Sequence, residues 1–329
     1  MKKFVKIGGI VIGVLFLAVV GAAAYFMTQF PKEQPTPELV IEPTAELVER
    51  GKYLANTSFA CIDCHSMRDP NKFSMPIVPG TEGMGGMDIG EGAGFIPAKN
   101  ITPDIETGIG SWTDGEIFRA ITMGIRKDGS HLTPNMPYLM FRNADSTDII
   151  AIIAYLKTLK PIRNEVPERK VNFPLSFIFR TLPTGPDFKP LDKNNPMAVG
   201  QYMSQICGAC HTPNEGGEFK MDEMFSGGVE FPMPLGGTVR TANITPDMET
   251  GIGTWTKEMF IKRFKDGTDP KNHYPVKPGE YNTIMPWEFF GMLTEEDLGA
   301  IYDYLRTVPP VKKRVEKFTP SQTAPSTRK

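Results

Sequence analysis

The chain has 329 residues, of which 40% are hydrophobic and 22% charged, and its formal net charge is −2 at pH 7. This composition is typical of a globular protein, and no excess of basic residues indicates nucleic-acid binding. The 32 glycines and 30 prolines predict long irregular loops rather than disorder, because the apolar content suffices to build cores. A chain of this length is expected to hold about two domains.

The N-terminal segment is the first predicted element. Residues 7–27 are uncharged and follow lysines at positions 2, 3 and 6, and a helix of this length can span a bilayer. We therefore expect a membrane anchor over residues 1–30, which the lysines orient with its N-terminus in the cytoplasm. A removed signal peptide is the alternative, because Ala22-Ala23-Ala24 offers a cleavage site. Residues 31–43 carry four prolines and three glutamates and predict an extended tether.

Two Cys-x-x-Cys-His units contain all four cysteines of the chain: Cys61, Cys64 and His65 in the first, and Cys207, Cys210 and His211 in the second. The pattern indicates two covalently attached c-type haems. The two thiols would form thioethers to the porphyrin, and the adjacent imidazole would be the proximal iron ligand. A Cys₄ zinc site, a thioredoxin-like redox pair and two disulfides are the alternatives, but none of them requires histidine after both cysteine pairs.

An internal repeat sets the domain organisation. Residues 100–113, NITPDIETGIGSWT, return as residues 243–256, NITPDMETGIGTWT, and shorter matches lie upstream and downstream of both copies. We therefore expect two domains of one design at 44–160 and 196–311. They would be joined by a linker at 161–195 and followed by a tail at 312–329.

Each repeat is predicted to be helical. Helices are expected over residues 113–124 and 256–267, and apolar residues at helical spacing predict an amphipathic last helix in each copy, beginning near Asp145 and Thr294. Another helix should lead into each Cys-x-x-Cys-His unit, where Gly51 and Gly200 would let the terminal helices cross closely. The predicted fold class is all-α, with two tandem haem domains after a transmembrane helix.

A second axial ligand is expected from a repeated Met-Pro-aromatic unit. Met136 and Met285 follow their proximal histidines by 71 and 74 residues, and we predict them as the distal ligands. His131 and His273 are the competing ligands, but their offsets from the methionines differ between the copies.

Other residues of the repeats have weaker assignments. Trp112 and Trp255 occupy the same place in both copies, and we predict that they form a haem wall; core packing is the alternative. Asn100 and Asn243 open N-x-T sequons, which the repeated loop explains better than glycosylation does. The glycine- and methionine-rich residues 80–94 predict a surface loop without an assigned purpose. The linker is too apolar to be free, and we expect it to pack along the domain interface.

The order CxxCH, NITPDxxTGIGxWT, MPY or MPW and AxxxYL resembles the class I cytochrome c domains in membrane-bound alcohol and gluconate dehydrogenases. The resemblance covers both domains. It implies that His65 and His211 are proximal ligands and Met136 and Met285 distal ligands. It also implies that such a subunit passes electrons from a catalytic dehydrogenase toward quinone or a terminal oxidase. Those subunits typically carry three haems, whereas this chain has two CxxCH units and an N-terminal anchor.

The sequence therefore predicts an electron-transfer protein rather than an enzyme. It would be a dihaem cytochrome anchored in the cytoplasmic membrane by a single pass, with its haem domains on the periplasmic side. Its expected partners are redox proteins, namely a dehydrogenase, a quinol-oxidising complex or a terminal oxidase. The alternatives are a dihaem enzyme of the peroxidase or thiosulfate-oxidising type and a zinc scaffold without redox activity.

Overall fold

The computed structural model describes residues 2–32, 34–90, 92–215 and 218–321. Its α-helices, in chain order, are α1 Lys2–Gln29, α2 Ala45–Ala55, α3 Cys61–Cys64, α4 Asp114–Met123, α5 Tyr138–Phe141, α6 Ser146–Leu156, α7 Leu175–Ile178, α8 Pro196–Met203, α9 Gln205–His211, α10 Lys257–Lys265, α11 Trp287–Gly291 and α12 Glu295–Leu305. Short strands are β1 Gly94–Phe95, β2 Lys170–Val171, β3 Asn214–Glu215, β4 Glu218–Phe219, β5 Glu230–Pro232, β6 Thr238–Arg240 and β7 Phe318–Thr319. The predicted helical class is confirmed, and the strands are an addition that the sequence did not indicate.

Helix α1 is the one helix in the described part of the chain that is long and apolar enough to cross a membrane. Its span Lys3–Gln29 has a mean hydropathy of 2.6, and none of that window is buried against the protein. At 1.5 Å per residue, its 27 residues reach about 40 Å, which exceeds a hydrocarbon core of about 30 Å.

In each repeat the first and last helices cross. Helix α2 packs on α6, and α8 packs on α12. The crossings place Gly51 against the backbone of Ala151 and Gly200 against that of Ala300; a Cβ atom would lie 1.8 Å and 2.0 Å from the respective carbonyl oxygens. Only glycine fits such an approach, and the predicted close crossing is therefore confirmed.

Side chains cap the first turn of four helices. Thr113 caps α4 in a full capping box with Glu116, whereas at α10 the hydroxyl of Thr256 accepts the N–H of Met259. Asp145 caps α6 and Thr294 caps α12. These caps satisfy backbone N–H groups that would otherwise lack partners in the first helical turn.

The repeats contact each other through a tyrosine and a carboxylate exchanged in both directions. Tyr53 of the first repeat donates its hydroxyl to Asp297 at the start of α12. Tyr202, its counterpart in the second repeat, donates to Asp148 at the start of α6, at 3.0 Å. Arg50, which belongs to the same repeat as Asp148, donates two hydrogen bonds to that carboxylate, of 2.9 Å and 2.8 Å, and so holds the acceptor in place. The interface therefore has the reciprocal pattern of a twofold arrangement, in which residue i contacts j and j contacts i.

The linker at 161–195 was expected to pack along the interface between the domains, but most of its contacts are with the first repeat and with α1. Strand β2 pairs with β1 of the first repeat, Phe188 packs on Phe118 at 5.4 Å between ring centroids, and Leu191 donates its N–H to Asp145. The middle of the linker, including α7, contacts the end of α1. The linker thus covers the first repeat and the anchor, and only its last residues approach the groove between the repeats.

The tail also has structure where it is described. Strand β7 pairs with β6, which extends the β5–β6 pair to three strands. Residues 322–329 of the predicted tail lie outside the described residues.

Candidate haem sites

The two Cys-x-x-Cys-His units lie on short helices, α3 in the first repeat and α9 in the second. Cys61, Cys64 and Cys207 are half-buried thiols outside any disulfide, so the reading of two disulfides is wrong. Burial raises the pKa of Cys61 and Cys207 to about 12. In the part of the chain that the structure describes, no group of three or more histidine, cysteine or acidic side chains could hold a metal ion. The structure therefore gives no support to a Cys₄ zinc site.

Both predicted proximal histidines are oriented by a backbone carbonyl. The Nδ1 of His65 lies 2.6 Å from the carbonyl oxygen of Lys99, and the Nδ1 of His211 lies 2.7 Å from that of Ala242. A carbonyl only accepts a hydrogen bond, so Nδ1 carries the proton and Nε2 keeps its lone pair for a metal. This is the arrangement that fixes the ring of a metal-binding histidine. Burial among neighbouring side chains lowers the pKa of both imidazoles.

The repeated loop holds those carbonyls in place. Asn100 follows Lys99, and its side-chain oxygen accepts the N–H and the hydroxyl of Thr102 at 2.9 Å and 2.7 Å, while its amide donates to the carbonyl of Ile162 at 2.7 Å. Asn243, after Ala242, makes the same three bonds in the second repeat, to Thr245 and Val311. Both asparagines are buried, which supports a structural role and removes the glycosylation reading.

A glycine on the other side of each histidine closes the cradle. Gly85 donates its N–H to the carbonyl of His65, and Gly227 donates to that of His211, both at 2.8 Å. Both glycines have positive φ, 73° and 71°. A Cβ on Gly85 would lie 2.4 Å from the carbonyl oxygen of Ala98, next to Lys99, and one on Gly227 would lie 2.4 Å from the backbone of Ala242. The loop at 80–94 thus has a purpose that the sequence reading missed, although the Gly-Gly pairs 85–86 and 227–228 were a usable signal.

The residues present fit covalently bound haem. Each site combines a half-buried cysteine pair, an imidazole whose Nε2 is left for iron, and a cradle that only glycine allows. Each of these features occurs twice, at matching places in the repeat.

The predicted distal methionines stand in matching turns. Met136 and Met285 are half-buried against the core, and in each turn the residue two positions later donates its N–H to the methionine carbonyl, at 2.7 Å for Tyr138 and 2.9 Å for Trp287. The turns lead directly into α5 and α11. The methionines therefore remain predicted ligands on equivalent backbones.

The competing histidines have other surroundings. His273 forms a hydrogen bond from Nε2 to the carbonyl of Gly267, at 3.1 Å. His131 is half-buried near Arg169 and Arg180 of the linker, and burial together with these two cations lowers its pKa to about 4. Trp112 and Trp255 are half-buried and packed against the core at equivalent turns, each donating its backbone N–H three residues back at 3.0 Å. The haem-wall role stays a prediction.

One contact breaks the symmetry of the two sites. Residues 68–75, which we call the bridging segment, leave the first Cys-x-x-Cys-His unit and lie on residues 274–287 of the second repeat, the distal loop. Ser74 donates its hydroxyl to the carbonyl of Met285 at 2.7 Å and accepts the N–H of Trp287 at 3.2 Å. Arg68 donates from Nη1 and Nη2 to the carbonyl of Ile284 at 3.2 Å. No repeated motif in the sequence indicated this contact.

Comparison with known proteins finds several relatives named as cytochromes, although no family model matches the chain. The cytochrome c subunit of alcohol dehydrogenase (quinone) from Gluconacetobacter polyoxogenes is 31% identical over 293 residues, which cover 83% of this chain and 58% of that protein. The fructose dehydrogenase cytochrome subunit of Gluconobacter japonicus is 28% identical over 288 residues, covering 84% and 55%. A diheme cytochrome c-type from Cereibacter sphaeroides is 27% identical over 316 residues, covering 91% and 98%. The chain thus spans little more than half of the dehydrogenase subunits and almost all of the diheme cytochrome.

Proposed function

This chain is a homologue of the cytochrome c subunits of alcohol, fructose and gluconate dehydrogenases, and we propose that it is a dihaem electron carrier anchored in a membrane. The homology supports covalently bound haem c and electron transfer as the function. We propose, beyond this, that the chain carries two haems, that specific residues bind their iron, and that the chain has particular redox partners. The diheme relative, which matches nearly end to end, supports two haems in two tandem cytochrome c domains.

The observation that carries the proposal is the pair of oriented imidazoles. His65 and His211 each keep Nε2 for iron because Nδ1 is held by a carbonyl. When bound there through the four cysteines, haem supplies one-electron redox chemistry. The chain would hold the two rings through its cysteines and orient the imidazoles, beside a hydrophobic core that the repeats share. Met136 and Met285 are the proposed distal ligands.

We propose α1 as an uncleaved anchor and the repeats as extracytoplasmic domains, consistent with the lysines that precede the span. By analogy with the dehydrogenase subunits, the donor would be a dehydrogenase or a quinol-oxidising complex, and the acceptor a quinone or terminal oxidase. Purification in mild detergent, followed by mass spectrometry of the proteins that copurify, tests the partnership.

The cofactor and its ligands are tested on the purified chain. Its intact mass should exceed that of the polypeptide by two haems, and replacing Cys61 and Cys64 with alanine should remove one. A redox titration should show two one-electron steps. Rapid binding of carbon monoxide by the reduced, unmodified protein would indicate an open iron site and would favour the alternative, a dihaem redox enzyme.

A further inference from the structure

We propose that the bridging segment of the first repeat is a positioning device for the distal ligand of the second haem. The proposal rests on the proposed role of Met285 as that ligand. It goes further because it makes the second iron site depend on the first repeat, and it names Ser74 and Arg68 as the residues responsible.

Ser74 fixes the backbone on both sides of the proline that follows Met285. Its hydroxyl bonds the carbonyl of Met285 and the N–H of Trp287, and its own N–H donates to the side-chain oxygen of Asn282 at 2.9 Å. The residue is 2% exposed and adopts φ of 66°, an uncommon conformation for a residue other than glycine. The hydrogen bonds of its hydroxyl and its N–H hold it in this conformation.

Arg68 links the same turn to the first haem site. Its side chain is buried, and it donates to the carbonyls of Ser74 and Met75 at 2.7 Å as well as to Ile284. Its Nε also lies 3.5 Å from the carboxylate of Asp63, which stands between Cys61 and Cys64. One guanidinium thus joins the haem-attachment helix of the first repeat to the residue before Met285.

Further contacts make the bridge stiff. Asn282 donates its amide to the carbonyls of Lys72 and Pro70 at 3.0 Å and 3.3 Å, and Phe73 stacks on Tyr274 with ring centroids 4.9 Å apart. The corresponding turn of the first repeat is held from within its own repeat, by the amide of Asn135 on the carbonyl of Ile89 at 2.8 Å. The two distal turns therefore have the same backbone but different supports.

The expected consequence is a difference between the haems. A thioether ligand raises the reduction potential of haem iron, so a looser Met285 should lower the potential of the second haem and leave the first unchanged. A tenfold loss in the preference of reduced over oxidised iron for this ligand corresponds to a fall of 59 mV for a one-electron couple.

The test uses the full-length holoprotein with Ser74→Gly, which keeps the backbone conformation and removes the hydroxyl, and with Arg68→Gln. Thr81→Ala is the matched control, because the Thr81 hydroxyl bonds only residues of the first repeat, Val78 and Met67. We expect one of the two haems to lose potential by about 59 mV or more in Ser74→Gly while the other keeps its potential. Arg68→Gln should lower both potentials, because it also removes the positive charge next to Asp63 in the first site. The methionine-to-iron charge-transfer band should fall toward half its amplitude, and the control should match the unmodified chain.

Met285→Ala separates the two levels of the argument. If Met285→Ala leaves the charge-transfer band and both potentials unchanged, Met285 is not the distal ligand. The proposed role of Ser74 and Arg68 is then wrong as well. Met285→Ala could instead remove half the charge-transfer band while Ser74→Gly and Arg68→Gln leave both potentials unchanged. That result would support Met285 as a ligand and overturn the positioning role of the bridging segment. Equal shifts of both haems in the Ser74 variant would also overturn it, because a general loss of structure would then explain the effect.

A different observation carries a second inference: we propose that residues 173–180 of the linker lie in the outer surface of the bilayer. Phe177 packs on Phe26 of α1 with ring centroids 5.9 Å apart, and Arg180 donates from Nε to the carbonyl of Phe30 at 3.1 Å. With Lys6 at the inner boundary, about 20 residues cross the hydrocarbon core and bring Phe26 to the outer boundary. A segment in contact with Phe26 must then lie at that boundary as well.

The segment has the side chains for this place. Phe173, Phe177 and Ile178 are 82%, 42% and 49% exposed, whereas large apolar side chains at one spot are normally covered. Aromatic side chains are enriched at the membrane interface. The bilayer is the occupant that the contact with α1 supports, and the effect would be to fix the orientation of the first repeat on the membrane.

Photo-crosslinking in native membranes tests the surface. Benzoyl-phenylalanine replaces Phe173 or Phe177, and in the matched control it replaces Phe219, which is 50% exposed on the β3–β4 hairpin. We expect lipid adducts at the first two positions and none at the control. If mass spectrometry shows an intact α1 but neither position gives lipid adducts, residues 173–180 do not lie at the membrane surface, while α1 can still be the anchor. If α1 is cleaved, both proposals are wrong.

Discussion

Replacing Asp148 with asparagine should destabilise the chain far more than the same change at its counterpart, Asp297. Asp148 is 1% exposed and accepts three hydrogen bonds, from Nε and Nη2 of Arg50 and from the hydroxyl of Tyr202. Asp297 is half-buried, and the interface bond it accepts is that of Tyr53.

The magnitude follows from this difference. Hydrogen bonds to a charged partner contribute about 1.5–3 kcal/mol each, and removing one member of a buried ion pair costs roughly 3–5 kcal/mol. The Arg50 side chain is 30% exposed, so water recovers part of the loss and about 3 kcal/mol is expected for Asp148→Asn. One weakened bond at a half-buried site gives about 1 kcal/mol for Asp297→Asn.

Urea unfolding of the full chain measures both values. Because the proposed haems are covalently attached, they stay on the unfolded chain, and far-ultraviolet circular dichroism and haem absorbance can follow the same transition. Tyr202→Phe should lose about 1 kcal/mol and leave the ion pair intact. Equal losses for the two aspartate variants, or none for Asp148→Asn, would refute the view that the buried ion pair with Arg50 makes Asp148 the more important of the two aspartates.

Three further results are expected. Asn243→Ala should destabilise the chain by about 2–3 kcal/mol and change the potential of one haem, because the loop that holds the Ala242 carbonyl loses its buried bonds; potentiometry checks this. His131→Gln should flatten the acid limb of stability, since a folded-state pKa of about 4 means that stability present above pH 6.5 is lost as pH falls toward 4, by about 1–2 kcal/mol after allowing for solvent exposure. Gly51→Ala should cost at least ~2 kcal/mol in urea unfolding, whereas Gly299→Ala, whose Cβ meets only Lys257 Cδ at 3.5 Å, should be neutral or stabilising.

Local rules made the secondary structure predictable. Asp145 and Thr294 cap α6 and α12 where those helices were expected to begin, because a cap depends on residues within one turn. The glycine crossings at Gly51 and Gly200 were also within reach, because the match between the copies marked both positions before any packing was known.

Contacts between distant segments were not predictable in the same way. Nothing near Lys99 in the sequence indicates that its carbonyl faces His65, since the carbonyl is a backbone group and any residue supplies one; Ala242 does the same in the second repeat. Ser74 stands in a stretch with no counterpart in the second repeat. Neither hydrophobic periodicity nor the match between the repeats therefore indicates a role for Ser74. Its contact with Met285 is formed only when the chain folds.

The duplication and the proposed bridge would together let one design give the two proposed haems different surroundings. The reciprocal pairs Tyr53 with Asp297 and Tyr202 with Asp148 impose a nearly symmetric frame, and a symmetric frame alone would give both haems the same surroundings. The departures from symmetry lie at the sites: Asp63 where the second unit has Ala209, and Ser74 on the turn of one methionine only. An electron carrier gains direction from unequal potentials, so the few residues that differ between the repeats, rather than the many that match, should determine which way electrons pass.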